Sequence, residues 1–356
     1  MNSSLDLEDS MSTSQRILVA GAGALGIITA VRLALAGHQV VVAARSEERR
    51  SVLRARGFRA DSPDAAPQHL QLEVIVEPDQ LKKPFNVLIV ATKCAAATAV
   101  AKQWMPVLAE SGTFVPYVNG LMGDEMKAIA NDRLVECAVY YAATLLAPGH
   151  SQMTGKGHLH LGPWPHGAIG PHSRTARVAE LLSAVVPTYT YEDMYSVKWN
   201  KLVANSAMTS LGVISGETMA GMMKHSVIRT VFLELLKESL TIAKAAGAKP
   251  MSLAGFDVSR AIRLPRFLAD IALRLATRKQ GLYKSSSQQS LERGEPTEVE
   301  YLNGRVVEEA IQRGLSAPWN TQIVAAVHSV EANPASAGID RVNELAIRAR
   351  RALRLA

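Results

Sequence analysis

The sequence predicts a chain in two parts: an open, mostly parallel α/β sheet with helices on both faces, followed by an all-helical half. Three observations carry this. A short apolar strand, RILVA (Arg16–Ala20), runs directly into a glycine-rich turn and then a helical pattern. Strand-like and helix-like segments alternate as far as about residue 192, as βαβ units require. Beyond Glu192 the apolar residues keep helical spacing and convincing strands disappear. A length of 356 residues exceeds what one hydrophobic core usually holds. Two domains, 15–192 and 193–356, are therefore expected behind a flexible leader of residues 1–14.

Taken in order, the turn Gly21-Ala22-Gly23-Ala24-Leu25-Gly26 is followed by a helix through ITAVRLALAG that stops at Gly37. HQVVVAAR (His38–Arg45) is a β-branched run suited to a strand buried on both faces. Further strands are expected at Leu72–Val76, Asn86–Thr92, Gly112–Asn119, Val135–Thr144 and His158–Gly162. The helical half is read as segments 194–213, 219–247, 252–280, 297–314, 319–331 and a basic amphipathic tail over 336–356. Gln280–Pro296, rich in serine and glutamine, is a loop or a polar helix between them.

Composition narrows the class. The chain is 48% hydrophobic and 20% charged with a net charge of +7, a globular balance whose excess cations suit an anionic small molecule. No dense basic block points to nucleic acid, and the arginines at 341, 348, 350, 351 and 354 read as the solvated face of an amphipathic helix. Cys94 and Cys137 form no Cys-x-x-Cys pair, which fits a reducing cytoplasm. The scattered histidines have no ligand spacing, so no metal is expected. The N-terminal residues lack a signal peptide's basic and apolar regions, and the apolar stretch Val87–Ala101 is broken by Lys93, so no membrane segment is expected.

A glycine turn between strand and helix is built for a dinucleotide. The first glycine permits the tight turn, the second admits a pyrophosphate against the backbone, the third lets helix and strand pack, and the helix N-terminus attracts the phosphates. Gly21, Ala22, Gly23, Ala24, Leu25 and Gly26 are thus cofactor-binding candidates in a Rossmann-type unit. Where an NAD enzyme usually places an acid at the end of the second strand, this chain has Arg45 and Ser46, with Arg49 and Arg50 one turn on. That favours NADP(H), whose 2′-phosphate arginines bind and an acid repels; the same arginines would also suit an ordinary solvated helix start. Lys93 after the fourth strand and Asn119 after the fifth either meet a ligand or open a surface helix and a turn. In VKWNKLVANSAMTSLGVIS, Lys201, Asn205 and Thr209 fall on one face of a helix otherwise crowded with apolar residues. Such a polar stripe faces either a cleft or solvent.

The motifs GAGALG, ATK, VNG, KLVAN and SSSQQSLERGEPTEVEYLNG, in that order and spacing from Arg16 to Val330, are similar to those of the ketopantoate reductase (2-dehydropantoate 2-reductase) family. The resemblance implies a Rossmann domain, a helical domain like that of 6-phosphogluconate dehydrogenase, and NADPH-dependent reduction of a 2-oxo acid, with ketopantoate to pantoate, a step toward pantothenate and coenzyme A, as the leading reaction. By motif position it makes Lys201 the catalytic lysine, and Asn119, Asn205, Thr209 and Ser286 substrate-side residues. Ser286 would grip the carboxylate, while Lys93, Asn119 and Glu298 would lie on the cofactor. The chain departs from the family at Thr209, where a second asparagine is common, and at Ser287, Gln288 and Ser290, where the family has Met, Leu and Asp. These departures leave the reaction class intact and open the choice of 2-oxo acid. A protein that only binds or senses NADP(H) is the alternative from another class, and a homodimer is the assembly considered.

Overall fold

The computed structural model describes residues 14–63, 65–81, 83–251, 262–277 and 284–354. Its first half contains β1 (Arg16–Ala20), α1 (Ala24–Leu35), β2 (Gln39–Ala43), α2 (Glu47–Arg56), β3 (Phe58–Ser62), β4 (Ala65–Leu70), β5 (Glu73–Ile75), β6 (Phe85–Val90), α3 (Cys94–Trp104), β7 (Leu108–Pro116), α4 (Gly123–Ala130), β8 (Glu136–Val139), β9 (Ala143–Ala147), β10 (His150–Met153), β11 (Leu159–Gly162), α5 (Arg174–Ser183) and β12 (Thr188–Thr190). The second half contains α6 (Met194–Ser215), α7 (Met219–Met222), α8 (Ser226–Ala245), α9 (Arg266–Thr277), α10 (Ser286–Glu292), a π-helical turn at Glu300–Gly304, α11 (Arg305–Gln312), α12 (Pro318–Ala332) and α13 (Ile339–Leu353).

The main sheet runs β5-β2-β1-β6-β7 with every neighbouring pair parallel. Its strands are buried on both faces, which is why they read as continuous apolar runs rather than alternating ones. Register positions the site: Ala20 pairs with Ala43 and with Val90, and Val90 pairs with Pro116. The carboxyl ends of β1, β2, β6 and β7 are therefore level, and the glycine turn, Arg45, Lys93 and Asn119 emerge along one edge of the sheet. This is the Rossmann arrangement the sequence predicts, joined to a helical half.

Two further sheets were not expected. β4-β3-β10-β9 covers the outer face of α1, and β12-β11-β8 extends the first half beyond β7. Because α1 packs on sheet residues on two sides, Ile27, Ile28, Ala30, Val31 and Leu33 are all wholly buried. Each of the isoleucine, valine and leucine side chains contributes about 1.5–3 kcal/mol of transfer free energy. The single strand expected over Val135–Thr144 is in fact two, β8 and β9, in different sheets. Between them, at Tyr140 and Tyr141, Gly157 packs against the backbone so closely that a Cβ there would lie 2.6 Å from the Tyr141 Cα.

In the helical half, α6 is the central rod. Asp193 caps it by accepting the Ser196 N–H at 2.9 Å, Gly216 ends it at φ 72°, and Val197, Trp199, Leu202, Val203, Ala207, Leu211, Val213 and Ile214 are buried along it. The helix expected over 219–247 breaks into α7 and α8. The guanidinium of Arg229 donates to the Met223 and Lys224 carbonyls at 2.8 and 3.1 Å, satisfying groups that a continuous helix would have bonded internally. Within Gln280–Pro296 a short helix forms, because Ser285 and Gln288 make a reciprocal capping box. The segment expected over 252–280 is described only for 262–277, which holds α9; its remainder lies outside the described residues. The segment expected over 297–314 opens on the π-helical turn and continues without a break into α11.

Candidate active site

The glycine turn shows which of its glycines the fold itself demands. Gly21 has φ 122° and a Cβ there would lie 2.6 Å from the Ala91 carbonyl oxygen, while a Cβ on Gly26 would overlap the Gly21 carbonyl. Gly23 is different: a Cβ there would meet only the Ala91 oxygen at an ordinary 3.8 Å. Gly23 is also the N-cap of α1 and supplies no side chain to cap it. The turn therefore keeps one open approach, over Gly23 and toward the first N–H groups of α1, beside Ala22, Ala24 and Leu25.

Along the same edge, Arg45 follows β2 and is exposed, and the Ser46 hydroxyl caps α2 by accepting the Arg49 N–H at 3.2 Å. Burial and the neighbouring Arg45 hold the Arg49 guanidinium below its ordinary value, with Glu295 acting in the opposite sense. Arg50 is engaged with Glu47 at 2.8 Å. Arg45 and Arg49 thus put two cations near the carboxyl end of β2, a setting that suits an anion.

At the other end of the edge a carboxylate of the helical half reaches into the α/β half. Glu298, 5% exposed, accepts the backbone N–H of Cys94, the first residue of α3, at 2.9 Å and the Asn119 side-chain amide at 3.0 Å. Lys93 Nζ stands 3.9 Å from the same carboxylate. Burial alone would raise the Glu298 pKa, but the Lys93 charge and the hydrogen bonds from Cys94 and Asn119 outweigh it and the pKa is lowered, so the group is a carboxylate at neutral pH. The Cys94 thiol, buried beside it, is pushed well up. Close approach here depends on Gly120, at φ 68°, where a Cβ would collide with the Tyr301 carbonyl of the π-helical turn.

Lys201 completes the line. Its Nζ donates to Asn119 Oδ1 at 3.1 Å and lies 5.5 Å from the centre of the Tyr140 ring. Burial, and then the charge of Lys198, lower its pKa to about 8. The structure therefore joins Lys201, Asn119, Glu298 and Lys93 in one chain of contacts drawn from α6, the β7 turn, the segment before the π-helical turn and the start of α3. Asn205 lies one turn further along α6, half-buried. Thr209, one turn further still, is 5% exposed and its hydroxyl donates back to the Asn205 carbonyl at 2.7 Å. Ser286 is exposed at the start of α10, and its neighbour Ser285 docks on the Thr209 carbonyl at 3.3 Å. The serine segment thus flanks the far end of the stripe rather than joining the Lys201 cluster. Among the departures from the family pattern, Gln288 accepts the Ser285 N–H and donates to the Glu217 carbonyl, tying α10 to the segment after α6, while Ser290 donates to the Ser286 carbonyl within α10.

Sequence reasoning missed Lys198. One turn before Lys201 and 2% exposed, it donates to Val118 O, Glu136 Oε1 and Cys137 O at 2.9, 3.0 and 3.3 Å. A lysine inside an apolar helical face was the available signal. Among the described residues, no group of His, Cys, Asp and Glu is arranged to hold a metal, and no helix is long and apolar enough to cross a membrane.

Comparison with known proteins agrees with this layout. Residues 17–166 match the family model described as ketopantoate reductase PanE/ApbA, and residues 193–331 match that of its C-terminal part. The chain is 25% identical over 319 residues to the 2-dehydropantoate 2-reductase of Pyrococcus abyssi, covering 89% of this chain and 98% of that one. It is likewise 25% identical over 321 residues to the 2-dehydropantoate 2-reductase of Archaeoglobus fulgidus, with the same coverage. Among solved structures, a PanE/ApbA family ketopantoate reductase from Ralstonia eutropha superposes with a TM-score of 0.75 at 23% identity, covering 89% of this chain and 98% of that one. A D-mandelate dehydrogenase solved with NADH and anilino(oxo)acetate gives the same score and coverage at 18% identity. With both family models matched in order across its two halves, the chain belongs to the ketopantoate reductase family of oxidoreductases.

Proposed function

We propose that this protein uses NADPH to reduce the C2 carbonyl of a small 2-oxo acid to the 2-hydroxy acid, with ketopantoate as the first substrate to test. The observation that carries the reading is the Lys201–Asn119 contact, which sets a partly desolvated ammonium beside the carboxyl edge of the sheet. We assign residues 15–192 to dinucleotide binding and 193–356 to the substrate side, with the boundary at Asp193, the cap of α6.

The residues present fit a nicotinamide dinucleotide. The approach over Gly23 and the uncapped start of α1 suit a pyrophosphate, and the Arg45–Arg49 pair suits a 2′-phosphate, which favours NADPH over NADH. When bound, the reduced nicotinamide supplies the hydride. Lys201, as its ammonium, stabilises the developing alkoxide and donates the proton to it. Asn119 holds the Lys201 ammonium by its Oδ1 and is itself held through its amide by Glu298. We read Asn205, one turn beyond Lys201, as orienting the substrate oxygen, and Ser286, at the far end of the same stripe, as the residue the family pattern assigns to the carboxylate. A lysine near pKa 8 is still mostly protonated at neutral pH yet gives up its proton far more readily than a free one.

Ketopantoate competes with other 2-oxo acids of similar size. The commitment of the Thr209 hydroxyl to its own helix, where the family often has an asparagine amide, favours a changed substrate side over a changed reaction. NADPH oxidation against a panel of 2-oxo acids tests both. Turnover with ketopantoate above all others supports the first reading, turnover with another acid supports the second, and cofactor binding without oxidation of any acid overturns the enzyme reading.

A further inference from the structure

We propose that Lys198 is a positioning residue, one that fixes the Lys201–Asn119 pair by tying α6 to the end of β7 and the start of β8. The three hydrogens of its ammonium are matched by three acceptors, Val118 O, Glu136 Oε1 and Cys137 O. Val118 immediately precedes Asn119, so the tether grips the backbone that presents the acceptor of the Lys201 proton. Lys198 and Lys201 stand three residues apart on one helix, so whatever fixes the first against β7 and β8 fixes the second against Asn119. The inference rests on the reading of Lys201 as the proton donor.

Stability alone is a poor reason for this arrangement. Lys198 is 2% and Glu136 0% exposed, and replacing a buried ion pair by apolar residues of similar volume is often neutral or stabilising. Glu136 Oε2 has no hydrogen-bond partner among the described residues, so the pair is not even fully satisfied. A second cation one turn from Lys201 also acts on it electrostatically. The titratable and charged groups facing Lys201 are Lys198 on α6, Cys137 on β8, Tyr140 after it, His160 on β11, Cys94 on α3 and Glu298 before the π-helical turn. After burial, the charge of Lys198 is the largest influence on it among the described residues, and it disfavours the ammonium, in the direction that eases proton donation.

Two variants separate geometry from charge. Lys198→Met combined with Glu136→Leu removes both charges without orphaning either, and should fold. Its kcat is expected to fall by about 10 to 10²-fold with the KM for NADPH unchanged, as for a misplaced donor. In lysine-labelled protein the Lys201 ¹³Cε signal, assigned by its loss in Lys201→Arg, is expected to titrate at higher pH than in the parent. Lys198→Arg keeps the charge, but its planar fork cannot meet the three acceptors in the same way. There the Lys201 titration should stay while kcat falls. A folded double variant with parental kcat and parental Lys201 titration would overturn the proposal. If the double variant does not fold, parental kcat in Lys198→Arg overturns it equally. The NMR titration needs no turnover, so it still reads the Lys198–Lys201 coupling if no 2-oxo acid proves to be a substrate.

Discussion

Glu298 accepts the backbone N–H of Cys94 at 2.9 Å, so a carboxylate from the helical half of the chain caps the first turn of α3 in the α/β half. The contact places a negative charge at the positive end of a helix dipole and holds Asn119 with its other oxygen. The carboxyl edge of the sheet and the segment before the π-helical turn are registered to one another through this side chain.

Removing that registration should be costly in two ways. Glu298→Ala leaves the buried Cys94 N–H and the Asn119 amide without an acceptor, at about 1–3 kcal/mol for each orphaned donor. Thermal denaturation should show a lower Tm, and steady-state kinetics a lower kcat. Glu298→Gln keeps the shape and one acceptor but loses the charge facing Lys93, so its Tm should lie between those of parent and alanine variant. An alanine variant with parental Tm and kcat would contradict the bridging role.

The glycines should separate fold from ligand. Gly26→Ala puts a methyl into the Gly21 carbonyl and should give little soluble folded protein. Gly23→Ala has room within the protein and should fold with parental circular dichroism while losing NADPH binding in a fluorescence titration. Tight NADPH binding by Gly23→Ala would contradict the placing of the pyrophosphate.

Arg45 is assigned to the 2′-phosphate. A charge-assisted hydrogen bond is worth about 1.5–3 kcal/mol, so Arg45→Ala should raise the KM for NADPH by roughly 10 to 100-fold with kcat preserved. The KM for NADH should barely move, and an equal effect on both cofactors would remove the assignment.

The pH dependence follows from Lys201. The donor must be protonated, and its pKa is lowered to about 8, so the rate of reduction should be flat at neutral pH and fall as pH rises through about 8. The variant Lys198→Met with Glu136→Leu should move this limb upward. A profile flat to pH values near that of a free lysine would mean that Lys201 does not set the rate.

The parallel sheet was readable because buried parallel strands are written as unbroken β-branched runs such as QVVVA and FNVLIV. β4, AAPQHL, and β10, HSQM, were not, because they are short, polar and half-exposed, and their strand state comes from pairing with β3 and packing on α1 rather than from propensity. Lys201, Asn205 and Thr209 were visible as a polar stripe, Lys93 and Asn119 from their places at strand ends, and motif order brought in Glu298. What no spacing announces is a contact across 179 residues, such as Asn119 to Glu298, or a lysine whose partners lie on two other elements. Lys198 is such a lysine, held by the backbone carbonyls of Val118 and Cys137.

The central claim is that Lys201 donates the proton to a reduced 2-oxo acid, and single-turnover NADPH consumption by Lys201→Ala tests it most directly. With cofactor and 2-oxo acid saturating, the rate should fall by about 10² to 10⁴-fold while the NADPH dissociation constant stays within error of the parent. A parental single-turnover rate in that variant would contradict the account.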